Sequence, residues 1–110
     1  MIELRVASTD AEYETWAAIK TAVVPNEPMT AAQLRRDDAE PGRLLLLASL
    51  DGADVGSGIA ALSNFGGRAF IAVRVLPEHR GRGVGTMLVR ALADHARALG
   101  RDGVDRKSVV

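Results

Sequence analysis

Arg80, Gly81, Arg82, Gly83, Val84 and Gly85 make an Arg-Gly-Arg-Gly-Val-Gly run, with Thr86 directly behind it. Glycines at alternate positions remove the side chains that would hold a ligand off the main chain, so successive amides can converge on one anion. A helix opening at this point adds N–H groups without internal acceptors and the positive end of its dipole. Such a site takes up phosphate oxygens well. Arg80 and Arg82 add full charges, and Thr86 adds a hydroxyl. The plainer reading is a glycine-rich turn that caps an ordinary helix. Two arginines, an apolar strand in front and the chain's longest helix behind favour the anion site.

Known phosphate motifs narrow the choice. A Walker loop needs Gly-x4-Gly-Lys-Ser/Thr, and no Lys is near. A dinucleotide fingerprint needs G-x-G-x-x-G; Gly81 and Gly83 fit, but position 86 is Thr. Arg/Gln-x-x-Gly-x-Gly/Ala is met in full by Arg80, Gly83 and Gly85.

The elements that must carry this loop follow from periodicity and punctuation. Ile2, Leu4 and Val6 alternate with Glu3 and Arg5, a half-buried strand. Thr9 and Glu12 form a capping box, and the helix behind it carries Trp16, Ile19 and Val23 on one side until Pro25–Pro28 breaks it. Thr30 and Gln33 form a second box, with Met29 and Leu34 as a hydrophobic staple; this helix is short and polar, and Pro41-Gly42 closes it. Leu44-Leu45-Leu46-Leu47-Ala48 is too short for an isolated core helix and reads as a strand covered on both faces. Asp51-Gly52 signals a hairpin. Val55, Ile59 and Ala61 belong to the next strand, which Gly56 and Gly58 weaken or bend. A turn over 64–67 leads to a strand from Phe70 to Leu76 with Ile71, Val73 and Val75 on one face, and Pro77 stops it. After the loop, Val84, Leu88, Ala91, Leu92 and Leu99 fall at i, i+4, i+7, i+8 and i+15, a helical stripe that Gly100 is placed to cap.

Bulk composition sets outer bounds. One domain fits 110 residues, and 47% apolar content suffices for a core, built from Leu, Val, Ile and Ala because aromatics are only 4%. Lys+Arg and Asp+Glu are each 14, so no net field holds nucleic acid or an anionic membrane. The absence of cysteine excludes disulfides, thiolate metal sites and cysteine nucleophiles. No stretch resembles a signal peptide or a bilayer span, so a soluble cytoplasmic protein is the expectation.

Val73-Arg74-Val75-Leu76-Pro77-Glu78-His79 followed by the Arg80–Gly85 loop closely resembles motif A of the GNAT acetyltransferase superfamily. The element order in front resembles that family's N-terminal portion, so the resemblance covers Met1 to about Val104. It implies an α+β fold in α/β/α layers, with a mixed, mostly antiparallel sheet in the order β-α-α-β-β-β-α. It implies acetyl-CoA as co-substrate, with loop amides of Arg80, Gly81, Arg82, Gly83, Val84 and Gly85, helped by Thr86, holding the pyrophosphate. The strand before the loop would pair with the pantetheine arm, which sets Val73, Arg74 and Val75 beside it. A backbone amide near Val75 would polarise the thioester carbonyl. An amine, deprotonated by a base or through water, would attack directly, with no covalent enzyme intermediate and no metal.

Other candidates read more plainly. Glu78, Glu27 (in the loop between the first two helices, which resembles the family's substrate-facing segment) and the Arg35-Arg36-Asp37-Asp38 run are each read first as surface charges. His79 is read as a solvated loop residue, His95 as a partly buried packing residue, and Arg74 as pointing either into the cleft or away from it. No general base is evident. A non-catalytic CoA- or acyl-CoA-binding module, or an inactive fragment, is the competing reading. An RNA contact through His79–Arg82 lacks net charge and stacking aromatics. The acceptor, whether antibiotic amine, protein amine or small metabolite, is open.

A complete domain of that family continues with a strand that splays away to open the cleft, then another helix and a strand pair, with a tyrosine often serving as general acid. The only tyrosine here is Tyr13, in the first helix. The expectation is a partial domain over 1–104, incomplete at its C-terminal end, with an uncovered sheet edge inviting low solubility or a homodimer. Asp105-Arg106-Lys107-Ser108-Val109-Val110 is polar and aperiodic. The string GAT-CGG-AAG-AGC-GTC-GTG, followed in frame by TAG, is a common sequencing-adapter sequence and translates to these six residues. Residues 105–110 are therefore expected to be non-native, with the gene running on, to a second such domain in tandem if one is present.

Overall fold

The structure is a computed structural model; it describes residues 1–26, 29–37, 43–62, 68–98 and 103–109, with backbone alone at 37, 62, 68–69 and 103–109. The elements are β1 (Ile2–Val6), α1 (Asp10–Val23), α2 (Ala31–Asp37), β2 (Leu44–Leu50), β3 (Ala53–Leu62), β4 (Arg68–Val75), a 3-10 turn (Pro77–His79), α3 (Val84–Ala98) and β5 (Gly103–Val109). The expected order holds through α3. The turn over 64–67, the stop at Pro41-Gly42, Leu99, Gly100 and Glu27 lie outside the described residues.

Both capping boxes form. Thr9 Oγ1 accepts from the Glu12 amide at 3.2 Å while Glu12 accepts from the Thr9 amide at 3.1 Å. Thr30 and Gln33 repeat the exchange at 3.2 and 2.9 Å. Leu34 is fully buried and Met29 packs into the same cluster, as the staple requires.

The sheet runs β1-β2-β3-β4-β5. The first three pairings are antiparallel, from Ile2↔Leu50 to Leu62↔Ala69. Alternate residues of β2 feed two cores: Leu45 and Leu47 pack with Trp16, Ile19 and Leu34 under α1 and α2, while Leu46 and Ala48 pack with Val84, Leu88 and Leu92 under α3. This is the strand covered on both faces. Asp51 and Gly52 turn the β2–β3 hairpin at φ 51° and 88°, the doubly positive geometry of a two-residue turn. The register then slips between Ala48↔Gly56 and Ser49↔Asp54, which leaves Val55 as a bulge.

Gly56 and Gly58 let α3 approach. A Cβ on Gly58 would stand 2.8 Å from Leu92 Cδ1, and one on Gly56 would stand 3.1 Å from Val84 Cγ1. On the opposite face, Trp16 Nε1 donates to the Gly58 carbonyl at 3.0 Å. Thus one residue of β3 is gripped by both helical layers.

The expected bare edge at β4 needs correction. β5 pairs with β4 in parallel from Arg68↔Gly103 to Arg74↔Val109. A parallel neighbour needs a crossover connection, and α3 supplies it. β4 is therefore an inner strand, β1 and β5 are the outer strands among the described residues, and the sheet is mixed as expected.

Candidate functional site

β4 ends where it does because Leu76 precedes Pro77. The ring disfavours a helical conformation for Leu76, which stays extended at φ −57°, ψ 138°. Pro77 then opens the 3-10 turn, closed by His79 N–H donating to the Leu76 carbonyl at 2.9 Å. Gly81 and Gly83 follow at φ 79° and 86°, a region that side chains with a Cβ rarely enter. The Gly83 carbonyl accepts the first helical bond of α3, from the Met87 amide at 3.1 Å. The amides of Gly83, Val84, Gly85 and Thr86 are thus the four at a helix N-terminus that have no acceptor inside the helix.

The surroundings suit an anion. A Cβ built on Gly81 meets nothing within 4 Å, and one on Gly83 meets only Ile2 Cδ1, at 4.0 Å. The loop main chain is therefore open to a ligand of phosphate size. Arg82 is exposed, and Thr86 is exposed beside it. Val84 points the other way: its side chain is buried against Gly56 and Leu88, pinning the helix start to the sheet so that only its amide serves the loop. Across the loop, the Asp51 carboxyl lies below the usual carboxylate range, chiefly because the N-terminal amine donates to it at 2.5 Å, with a smaller pull from Arg82.

The structure sets Arg80, Gly81, Arg82, Gly83, Val84, Gly85 and Thr86 in one stretch that leads from the 3-10 turn into the first turn of α3. Val73 and Val75 are buried on the α3 side and present only backbone to β4's outer edge. Along that edge, among the described residues, β5 is paired from Arg68↔Gly103 to Arg74↔Val109. The edge expected to be free at Val73 and Arg74 is occupied. Arg74 is 3% exposed and lies on the α1/α2 side, in register with Ser57 on β3.

Sequence reasoning missed Ser57, whose hydroxyl is fully buried with no hydrogen-bond partner among the described residues. Its place between Gly56 and Gly58 was the available signal. Lys20, buried on α1, was missed too; Tyr13 lies in α1 as expected and is buried. Glu78 is exposed and His95 half-buried, as expected. His79 is half-buried rather than solvated, with Nδ1 turned inward. Arg35 and Arg36 are exposed, Arg35 reaching Asp10 at 3.1 Å.

A βαβ unit, β4–α3–β5, whose first turn is glycine-rich and sits at the carboxyl end of its strand, completes a mixed sheet in an α+β fold. The family profile described as Acetyltransferase (GNAT) family matches residues 9–107. The chain belongs to the GNAT acetyltransferase family. Among solved structures it is similar to aminoglycoside N-acetyltransferase AAC(6')-Iy in complex with CoA, at 20% identity and TM-score 0.81, covering 97% of this chain and 76% of that one. It is also similar to glucosamine-6-phosphate N-acetyltransferase from Arabidopsis thaliana, at 15% identity, TM-score 0.79, 97% and 82% coverage. A third is the putative acetyltransferase yncA from Salmonella typhimurium with acetyl-CoA, at 21% identity, TM-score 0.71, 91% and 65% coverage. At these identities the likeness is one of fold. No curated protein matches the chain.

Proposed function

We propose that the chain transfers an acetyl group from acetyl-CoA to an amine. The observation that carries this reading is the loop at the carboxyl end of β4, which has two positive-φ glycines, an exposed Arg82 and the N-terminal amides of α3 directly behind them. Bound acetyl-CoA supplies an activated thioester. The loop amides hold its pyrophosphate, and Val75, at the end of β4, offers backbone to the thioester end. A main-chain N–H there stabilises charge as it develops on the carbonyl oxygen. The amine nitrogen bonds to the carbonyl carbon, the carbon–sulfur bond breaks, and the amine's proton leaves to a base or water as the thiolate is protonated.

The test is CoA binding by calorimetry, followed by thiol release from acetyl-CoA with a panel of aminoglycosides, amino sugars and peptide amines. Amine-dependent thiol release is the expected result. A folded chain that binds no CoA would refute the reading. A second reading, a CoA-binding module without turnover, is favoured by one observation: β5 lies along the edge that a pantetheine arm would use. CoA binding with no thiol release for any amine would establish it.

A further inference from the structure

We infer that Arg80 is a positioning residue, which acts through β4 rather than by charge on the anion. Arg80 Nε donates to the Val75 carbonyl at 3.1 Å. The N–H of the same peptide, on Leu76, donates to the carbonyl of Val55, the bulge residue of β3, at 2.9 Å. The Val75–Leu76 peptide is therefore held on both sides. A trans peptide points its carbonyl and its N–H in opposite directions. Because the Leu76 N–H points at β3, the Val75 carbonyl faces the outer edge of β4, and the Val75 N–H faces that edge too, as N–H and C=O of one strand residue do.

At that edge, among the described residues, β5 is in register as far as Arg74↔Val109. Arg80 thus supplies a side-chain donor to the last carbonyl of β4, and Pro77 brings no N–H of its own. The loop that binds the anion thereby sets the orientation of the one backbone segment that faces the thioester. A side chain aimed only at phosphate would leave that segment free to twist.

The atom count in the side chain separates the two roles. In arginine, Nε is the fourth atom beyond Cα; in glutamine, the amide nitrogen is also the fourth; in lysine, the nitrogen is the fifth. Arg80→Gln keeps a planar donor at the same reach and removes the charge. Arg80→Lys keeps the charge and misplaces the donor. Arg80→Met removes both.

The catalytic half of this inference rests on the acetyl-transfer reading; the strut itself does not. Two measurements on the full chain keep them apart. The first is hydrogen exchange by NMR without ligand. The Arg80 Nε–H should exchange at least about tenfold more slowly than that of exposed Arg82, and the Leu76 amide should exchange faster in Arg80→Met and Arg80→Lys but not in Arg80→Gln. The second is steady-state kinetics. Losing a well-placed donor is worth about tenfold, so Arg80→Gln should keep both kcat and the acetyl-CoA KM within about threefold of wild type. Arg80→Lys should keep KM and lose about tenfold in kcat. Equal exchange at Arg80 and Arg82, or Arg80→Gln behaving like Arg80→Met, overturns the strut. If wild type acetylates no amine, the acetyl-transfer reading falls, and the exchange comparison alone accepts or rejects the strut.

Discussion

Replacing Gly58 by alanine tests how α3 is seated. The new methyl would stand 2.8 Å from Leu92 Cδ1, 3.5 Å from Leu88 Cδ2 and 3.6 Å from the Ala72 carbonyl oxygen. Carbon atoms rest at about 3.5–4.0 Å, so the overlap with Leu92 is about 1 Å. Leu92 is fully buried, so its rotamer cannot swing outward into water, and either it repacks or α3 lifts. Overpacking of this kind costs about 1–3 kcal/mol. The alanine returns about 0.4–1 kcal/mol by restricting the unfolded chain. The expected net loss is about 1–2 kcal/mol, a fall of roughly 4–8 °C in Tm for a domain near this size. Leu92→Ala alone should cost about 2–5 kcal/mol by leaving a cavity. The double variant should be less damaged than the sum by about 1 kcal/mol or more, because the methyl fills the space that the leucine vacates. Urea unfolding of all four proteins, followed by far-UV circular dichroism, gives the cycle. CoA affinity should fall in Gly58→Ala and recover in part in the double variant, since the loop leads into the α3 N-terminus. An unchanged urea midpoint for Gly58→Ala, or strict additivity, would refute the close-approach argument.

Gly83→Ala forces a Cβ into a positive-φ position and should cost about 1–2 kcal/mol, with CoA binding weakened further; calorimetry beside thermal melting separates the two losses. The Glu12 carboxyl is held below its ordinary pKa, first by the backbone amides of Ser8 and Thr9 and then by the Thr9 hydroxyl and Arg5. A depressed folded pKa gives stability that is present above the unfolded value and lost as pH falls through the folded one. Urea midpoints should therefore decline on acidification through and below the usual glutamate range, and Glu12→Gln should flatten that part of the profile.

The local features were legible because their chemistry is complete within a few residues. Each capping box is a four-residue exchange, the Asp51-Gly52 turn needs two residues, and the Arg80–Gly85 loop announces its open main chain by composition. What was not legible depends on distant partners. The meaning of Gly58 lies in Leu92 and Trp16, neither of which is near it in sequence. β5 has no apolar rhythm over 103–109; its strand form comes from the edge that β4 offers after the α3 crossover. Residue type alone assigned Arg80 to phosphate, while the fold turns its Nε back to Val75. Alternation correctly set Arg74 opposite Val73 and Val75, but its depth depends on α1 and α2 covering that face.

The grip of Trp16 on Gly58 has an optical consequence. Trp16 is the chain's only tryptophan, 1% exposed, and its indole N–H is spent on a strand carbonyl. Its emission should therefore be blue-shifted and single-valued in the native protein, and should move red only when α1 parts from β3. The chain carries its own fluorophore at the one strand position where the two helical layers meet, so a label-free spectrum distinguishes loosening of the α1 layer from loss of helix in α3.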